Sequence, residues 1–304
     1  MKIIANTTDF YLKEKTAVAI GKFDGVHVGH RRLLEEILQQ KSKGFSTCVF
    51  TFEPAPAVLF GYSDGMELTT REEKRLLFEK MGVDILIEFP LNKQTAAMPP
   101  EEFITQFLVK RMNSGFVAAG KDLSFGDKGA GNARLLQQLG TKYGYQVQII
   151  DKVIKHGVEI SSSYIREQVE AGEMKLAEEL LGMPYTVCGK VVHGNQIGRT
   201  LGFPTVNLLP SHTKLLPPNG VYYSSVCVGE KQFRAITNIG YKPTVTDEQI
   251  RGVESYLYDF WEEIYEKEIQ VLLYQFKRTE QRFENIEALR KQLQKDITEG
   301  ALYE

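Results

Sequence analysis

The run from His193 to Asn207 combines residue types that bind phosphate and a hard cation. It contains three glycines, Gly194, Gly198 and Gly202, together with Arg199 and a Thr-x-Asn pair. Glycine lets a backbone approach a ligand closely, and successive free N–H groups form a concave anion site, while an arginine guanidinium pairs with phosphate oxygens. Thr205 and Asn207 share one face of an extended strand, and their oxygens suit Mg²⁺. The alternative is a glycine-rich hairpin whose Thr and Asn are satisfied internally.

A second group of candidate residues follows the first buried strand pattern, Ala17–Ile20. The strand leads directly into Gly21–His30, where His27 and His30 flank Gly29 at the predicted start of a helix. A glycine-rich turn between a strand and a helix is a common phosphate site, because the helix N-terminus offers free N–H groups and partial positive charge. The alternatives are a metal-binding histidine pair, for which no third ligand is evident, and an accidental pair of surface histidines.

Composition limits the classes of function that the chain can have. It has 304 residues, a formal net charge of −2 and a pI near 6.3, which argue against a general nucleic-acid or membrane-surface binder. Its three cysteines are far apart in the sequence, which favours neither a disulfide framework nor a zinc site and fits a reducing cytoplasm. The sequence shows no signal peptide, no apolar run of membrane-spanning length and no Walker A motif.

The elements needed to position these residues divide the chain into two parts. Before residue 183, short apolar strands alternate with amphipathic helices, which predicts a parallel sheet covered on both faces. After it, strand patterns separated by Gly- and Pro-rich turns predict a small antiparallel barrel or sandwich followed by a helix from about Ile286. We therefore predict domains over residues 1–182 and 183–304.

The second part resembles riboflavin kinases. Residues 198–207 match the signature Gly-Arg-x-Leu-Gly-Phe-Pro-Thr-x-Asn, and further blocks at Asn219–Tyr222, Asn238–Thr244 and Val253–Phe260 follow in order. The resemblance implies a β-barrel in which Glu254 deprotonates the ribityl hydroxyl and Thr205 and Asn207 hold Mg²⁺ and phosphates. It also implies that Arg278 contacts the flavin or nucleotide, and that the nucleotide lies against Gly194, Gly198, Arg199 and Gly202.

The first part resembles the FAD synthetase branch of the nucleotidylyltransferase superfamily, a Rossmann-like fold. Residues 21–30 match its Gly-x-Phe-Asp-Gly-Val-His-x-Gly-His form, and blocks at Gly120–Gly126 and Ile160–Arg166 resemble later elements. The resemblance implies catalytic roles for His27, His30 and Arg166, and a flavin contact by Phe125. The implied nucleotide- and phosphate-binding residues are Gly21, Phe23, Asp24, Gly29, Asp122, Ser161, Ser162 and Ser163.

Together the two resemblances identify the chain with prokaryotic bifunctional riboflavin kinase/FAD synthetases. They imply ATP, riboflavin, FMN and FAD as substrates or products, a cytoplasmic location, and a monomer or weak homo-oligomer without nucleic-acid or membrane partners. Ala55, Gly129 and Tyr164 depart from the adenylyltransferase pattern, where the family has His, Arg and Arg, and Tyr256 replaces a common His in the kinase half. Two alternatives follow: a kinase with a weakened adenylyltransferase half, and a non-catalytic flavin-binding regulator.

Overall fold

The computed structural model describes residues 1–194, 197–242 and 250–303, which form two compact units, Met1–Ser161 and Ser162–Glu304. Asn195 and Gln196 of the glycine-rich run, Pro243 and Thr244 of the third kinase block, and the side chain of Arg199 lie outside the described parts. A domain boundary after residue 182 stays a prediction. Among the described residues, no helix combines the length and the apolar character needed to cross a membrane.

The first unit alternates strands and helices. Its strands are β1 (Lys2–Ala5), β2 (Thr16–Ile20), β3 (Ser46–Glu53), β4 (Ile85–Pro90), β5 (Ser114–Gly120), β6 (Ser124–Phe125), β7 (Gly131–Asn132), β8 (Gln146–Ile150), β9 (Ile154–Lys155) and β10 (Val158–Glu159). Its α-helices are α1 (Val28–Gln39), α2 (Pro56–Leu59), α3 (Arg71–Lys80), α4 (Lys93–Ala96), α5 (Pro100–Phe103) and α6 (Ala133–Tyr143). A π-helix, Ile104–Arg111, continues α5.

A six-stranded parallel sheet forms the centre of this unit, in the order β1-β4-β3-β2-β5-β8. Apolar residues on both faces of the strands are buried, which explains why β2 reads as an uninterrupted apolar run. In this sheet β3 lies on one side of β2, and β5 lies on its other side. The strand order therefore reverses between β2 and β5, and ligands bind at the carboxyl ends of strands at such a point.

Local sequence signals set the helices of this unit. The run Thr70-Arg71-Glu72-Glu73 predicts a capping box, and at the start of α3 the side chains of Thr70 and Glu73 each accept from the other residue's backbone N–H. Gly44 follows the amphipathic pattern of the first helix and predicts its end; it has a φ of 83° and follows a 3₁₀ turn that extends α1. These two predictions are confirmed.

The second unit consists of two helices, a barrel and a final helix. The helices α7 (Ser162–Ala171) and α8 (Met174–Leu181) precede β11 (Tyr185–Val192), α9 (Ile197–Thr200), β12 (Thr205–Pro210), β13 (Gly220–Val228), β14 (Lys231–Lys242), β15 (Ile250–Leu257), β16 (Glu268–Arg278) and α10 (Ile286–Ala301). The six strands close into an antiparallel barrel in the order β11-β12-β15-β14-β13-β16. Alternate residues such as Val187, Val253 and Val271 are completely buried, as the period of two in a half-buried strand requires.

The predicted fold class is confirmed in both halves. The parallel sheet, the barrel and the terminal helix with its Asn285 cap are all present. The edge strand β1 and the short helix α9 were not predicted from the sequence, and β12 was predicted only as an extended Thr-x-Asn pair. The apolar and aromatic pattern of Val253–Asp259 predicts a strand, but β15 ends at Leu257 and Asp259 lies in the following turn.

Candidate active sites

The loop after β2 is fixed by burial and by backbone hydrogen bonds. The Phe23 ring is fully buried and meets Phe78 edge-on at 5.6 Å, although its φ of 52° places the residue in the left-handed region. A Cβ at Gly21 would lie only 3.1 Å from that ring, which explains the glycine. Asp24 Oδ1 accepts from the backbone N–H groups of Leu68 and Thr69 at 2.9 and 3.3 Å. Gly21, Phe23 and Asp24 therefore shape the loop.

His27 and His30 are brought together at the N-terminus of α1. Their rings stack with centroids 3.7 Å apart, and His27 Nδ1 caps the helix by accepting from the His30 N–H at 3.3 Å. A Cβ at Gly29 would lie 3.1 Å from the His27 ring, so the residue between the histidines must be small for the stack to form. The cap requires an unprotonated Nδ1, so the neutral His27 ring carries its proton on Nε2.

Burial keeps both imidazoles neutral. Desolvation lowers the pKa of His27 to about 4, against an opposing effect of the Asp122 charge, and burial together with the His27 charge lowers the pKa of His30 well below 6.5. His30 Nδ1 is buried without a hydrogen-bond partner among the described residues. A buried imidazole nitrogen of this kind needs a polar partner, and the helix N-terminus beside it favours an anion.

The carboxyl end of β5 contributes a carboxylate to the same edge of the sheet. Ala119 of β5 pairs with Ile20 of β2, and the exposed Asp122 that follows lies 3.6 Å from Lys152 Nζ. Asp122 therefore lies close enough to act electrostatically on His27. Phe125, by contrast, is only 5% exposed and packs against Phe103 in the core, so a flavin contact by its ring stays a prediction.

The serine-rich block spans the division between the units. Ser161 ends the first unit, whereas Ser162 and Ser163 form the first turn of α7 in the second, followed one turn later by the part-buried Arg166. A helix start with free N–H groups, hydroxyls and an arginine is suited to binding phosphate. Its predicted role in the adenylyl transfer stays a prediction.

One of the three departures has a structural explanation. Gly129 has a φ of 69°, and a Cβ there would lie 2.4 Å from Ser124 Oγ, so this loop is built around glycine and does not accept an arginine without strain. Ala55 precedes α2 in extended conformation without a side-chain cap. Tyr164 is part-buried in the first turn of α7, and nothing in its surroundings explains the loss of an arginine.

The second site lies on neighbouring strands of the barrel. Asn207 of β12 is directly opposite Glu254 of β15, and the Thr205 hydroxyl donates to Glu254 Oε1 at 2.5 Å. Asn207 is buried, with 7% of its surface exposed, whereas Thr205 and Glu254 are part-buried. The barrel thus gathers a carboxylate, a hydroxyl and an amide.

The glycines of the run enclose these polar side chains. A Cβ at Gly194 would lie 2.5 Å from the Asn207 amide, and one at Gly198 would lie 2.4 Å from the Phe203 carbonyl oxygen. Gly202 has a φ of 87°, which makes a side chain there costly. Gly194, Thr205 and Asn207 also line a cavity of about 400 Å³, a size suited to a small ligand.

Arg278 is engaged elsewhere in the barrel unit. Its guanidinium donates to both carboxylate oxygens of Asp296 on α10, at 2.5 to 3.2 Å, and to the Thr279 carbonyl at 2.9 Å. Asp296 is 2% exposed and also lies 3.6 Å from Lys277 Nζ. Arg278 is not among the described residues that line the cavity beside Thr205, and its contact with flavin or nucleotide stays a prediction.

Comparison with known proteins agrees with two separate sites. The FAD synthetase family profile matches residues 10–164, and the riboflavin kinase profile matches residues 181–302. A bifunctional riboflavin kinase/FMN adenylyltransferase of Listeria monocytogenes is 37% identical over 95% of this chain and 93% of its own length. The Escherichia coli protein of the same name is 36% identical over 93% and 91%. The chain belongs to the bifunctional riboflavin kinase/FMN adenylyltransferase family.

A solved structure from Streptococcus pneumoniae shares the complete architecture of this family member. It superposes with a TM-score of 0.88 at 27% identity and covers 100% of both chains. That protein is described as a macrolide-efflux protein.

Two features of the sites were not found from the sequence. Asp296 looks like an ordinary polar residue on a helix, and only the tertiary structure shows that it neutralises Arg278 and Lys277. Trp261 lines the same cavity as Thr205 although 85% of its surface is exposed. In the sequence, Trp261 directly follows the Val253–Phe260 block and is surrounded by charged residues, and this position could have indicated an exposed tryptophan near the site.

Proposed function

We propose that the chain makes FAD from riboflavin in two ATP-dependent transfers. The barrel unit transfers the γ-phosphoryl group of ATP to the ribityl 5′-hydroxyl of riboflavin, giving FMN and ADP. The adenylyltransferase half then transfers AMP from a second ATP to FMN, giving FAD and pyrophosphate. The observation that carries the proposal is the Thr205–Glu254 hydrogen bond, directly beside Asn207 and the cavity that Gly194 lines.

In the first transfer Glu254 is the general base. Its carboxylate is part-buried and oriented by Thr205, so it is positioned to take the proton of the attacking hydroxyl. The oxygen of that hydroxyl forms the new bond to the γ-phosphorus, the bond to the bridging oxygen breaks, and ADP leaves. Backbone N–H groups of the glycine run hold the phosphates in place, in the absence of a Walker A motif.

The residues beside Glu254 fit Mg²⁺. Thr205 and Asn207 supply hydroxyl and amide oxygens, hard donors of the kind that this cation prefers. The absent Cβ of Gly194 leaves the Asn207 amide approachable from the cavity. Thr205 and Asn207 would hold the cation, which when bound neutralises charge on the transferred phosphoryl group.

In the second transfer the His27–His30 pair stabilises charge on the α-phosphoryl group. A phosphate oxygen of FMN attacks the α-phosphorus, and the bond to the β-phosphate breaks to release pyrophosphate. No general base is needed, because the FMN phosphate is already anionic. The neutral His27 ring can donate from Nε2, and His30 Nδ1 is still without a partner among the described residues.

A chromatographic time course with riboflavin, ATP and Mg²⁺, following FMN and FAD separately, tests the proposal. The wild type should form FMN and convert it to FAD. Glu254→Gln should lower kcat for FMN formation by roughly 10²- to 10⁴-fold, the usual contribution of a general base, while still converting supplied FMN to FAD. FMN that accumulates without FAD would support the kinase with a weakened second half, and the absence of both products would support the flavin-binding regulator.

The proposal includes the cellular setting and the assembly. The wide spacing of the three cysteines, together with the use of ATP, supports a cytoplasmic enzyme. The proposed assembly is a monomer or a weak homo-oligomer. A net charge of −2 supports the expectation that nucleic acid is not a partner.

A further inference from the structure

Trp261, the one tryptophan in the sequence, lies at the mouth of the cavity that contains Thr205 and Asn207. Its side chain is 85% exposed, whereas Phe260 before it is part-buried and Ile264 after it is buried. An exposed aromatic ring beside a cavity is available to a planar ligand, and contact with such a ligand would remove apolar surface from water.

The segment between β15 and β16 holds Trp261 in a defined place. On one side of it, Phe260 packs edge-on against Phe233 at 4.9 Å, and on the other side Ile264 is only 3% exposed. The Glu266 N–H donates to the Val191 carbonyl at 2.9 Å and joins the end of the segment to β11. The backbone is therefore anchored on both sides of the tryptophan, which keeps its ring close to the cavity.

The lining of the cavity indicates which substrate it receives. Gly194, Thr205 and Asn207 are on its wall, whereas the base Glu254 is not among the described lining residues. The phosphate-binding groups therefore face the cavity, and the hydroxyl acceptor must reach Glu254 from another direction. A molecule that fills the cavity presents phosphates to the glycine run and its other end to Trp261.

We propose that Trp261 is a stacking platform for the purine base of ATP in the kinase reaction, an inference that rests on the proposed function. A base stacked on an aromatic ring gains affinity without hydrogen-bond readout, because every base has a π-face. Tyr265, whose ring stacks on His193 at 3.9 Å, lines the same cavity as Trp261 and adds a second aromatic ring to it.

Fluorescence gives a direct test, since a single tryptophan supplies the signal. Titration of the full chain with ADP and Mg²⁺ should quench Trp261, whereas inorganic tripolyphosphate with Mg²⁺, which has no base, should leave the emission unchanged. Equal quenching by tripolyphosphate, or no response to ADP at concentrations that inhibit FMN formation, would overturn the proposal.

Kinetics of FMN formation separate this proposal from the proposed function. Trp261→Ala should raise KM for ATP by about tenfold, within the roughly 5- to 100-fold typical of one stacked base, with kcat and the KM for riboflavin unchanged. Trp261→Phe should restore most of the affinity. Tyr62→Ala, which removes an equally exposed aromatic ring from the first unit, is the matched control and should leave the kinase KM for ATP unchanged.

The outcomes are distinguishable. If the wild type forms no FMN, the proposed function fails before the variants are compared. If the wild type forms FMN and Trp261→Ala keeps the KM for ATP, the function stands and the stacking platform is refuted. If Trp261→Ala raises only the KM for riboflavin, the ring contacts the flavin instead of the purine, and the proposal is refuted as well.

Discussion

The buried histidine pair makes the first unit sensitive to mild acid. Burial lowers the pKa of His27 from 6.5 to about 4, so its charged form is disfavoured in the folded state. Between these two pH values the unfolded chain binds a proton that the folded chain does not, and stability therefore falls as the pH falls. The loss begins near the unfolded pKa of 6.5 and is complete near pH 4.

The magnitude follows from the shift of the pKa. From about pH 7 to about pH 5 the unfolded histidine gains most of one proton while folded His27 gains almost none, which lowers the free energy of unfolding by about 2 kcal/mol. His30, whose pKa is lowered in the same direction, adds to this loss. The His27→Asn variant removes one titrating group but keeps a side chain that caps helices well, so its loss over this pH range should be smaller by about 2 kcal/mol.

Urea unfolding followed by far-UV circular dichroism at several pH values measures this difference. Trp261 fluorescence reports the second unit in the same samples and separates its transition from that of the first. His156→Asn is the matched control, because His156 is exposed with a φ of 52° that asparagine tolerates, and it should leave the pH dependence unchanged. If His27→Asn and the wild type lose equal stability between pH 7 and pH 5, the assignment of a buried neutral His27 is wrong.

Three further substitutions test separate contacts. Gly194→Ala would push a methyl group against the Asn207 amide. It should lower kcat/KM for FMN formation at least tenfold in a kinase assay. Conversion of FMN to FAD is the control and should be unaffected. Gly129→Arg restores the charge that the family has at this position. It should lower the free energy of unfolding in urea by about 1–2 kcal/mol, because Gly129 has a positive φ and a side chain there meets Ser124. Faster FAD formation without this loss of stability would contradict the structure. In Asp296→Asn, Lys277 and Arg278 lose the buried carboxylate that they share, which should destabilise the second unit by about 3 kcal/mol. Trp261 fluorescence in urea measures this loss, and an unchanged stability would contradict the role given to the carboxylate.

The regular elements could be predicted because their signals are local. The buried strand β2 contains the apolar run Ala17–Ile20, and the capping box at Thr70 and the left-handed Gly44 mark helix ends. Each of these features depends on residues within a few positions. The pairing of Asn207 with Glu254 was not local. It depends on the register of β12 against β15, which are almost fifty residues apart, and only the barrel defines that register.

Side-chain orientation limited the prediction of the sites. Phe125 occurs in a family block, but the short β6–β7 pair directs its ring into the core, where a Cβ at Gly131 would already collide with it. Arg278 likewise follows a recognisable pattern, yet its ion pair with Asp296 depends on where α10 packs. Sequence spacing indicated which residues could do chemistry, whereas packing decided which of them point towards the sites.

The two units differ in how they expose strand edges. The six strands of the barrel close on themselves, whereas the sheet of the first unit ends at β1 and β8. Strand β8, Gln146–Ile150, carries no charged residue and, within the described parts of the chain, pairs only with β5. Unprotected edges of this kind recruit strands from other molecules. Aggregation of the concentrated or heated protein should therefore start at β8, and Gln148→Lys is the change that should delay it.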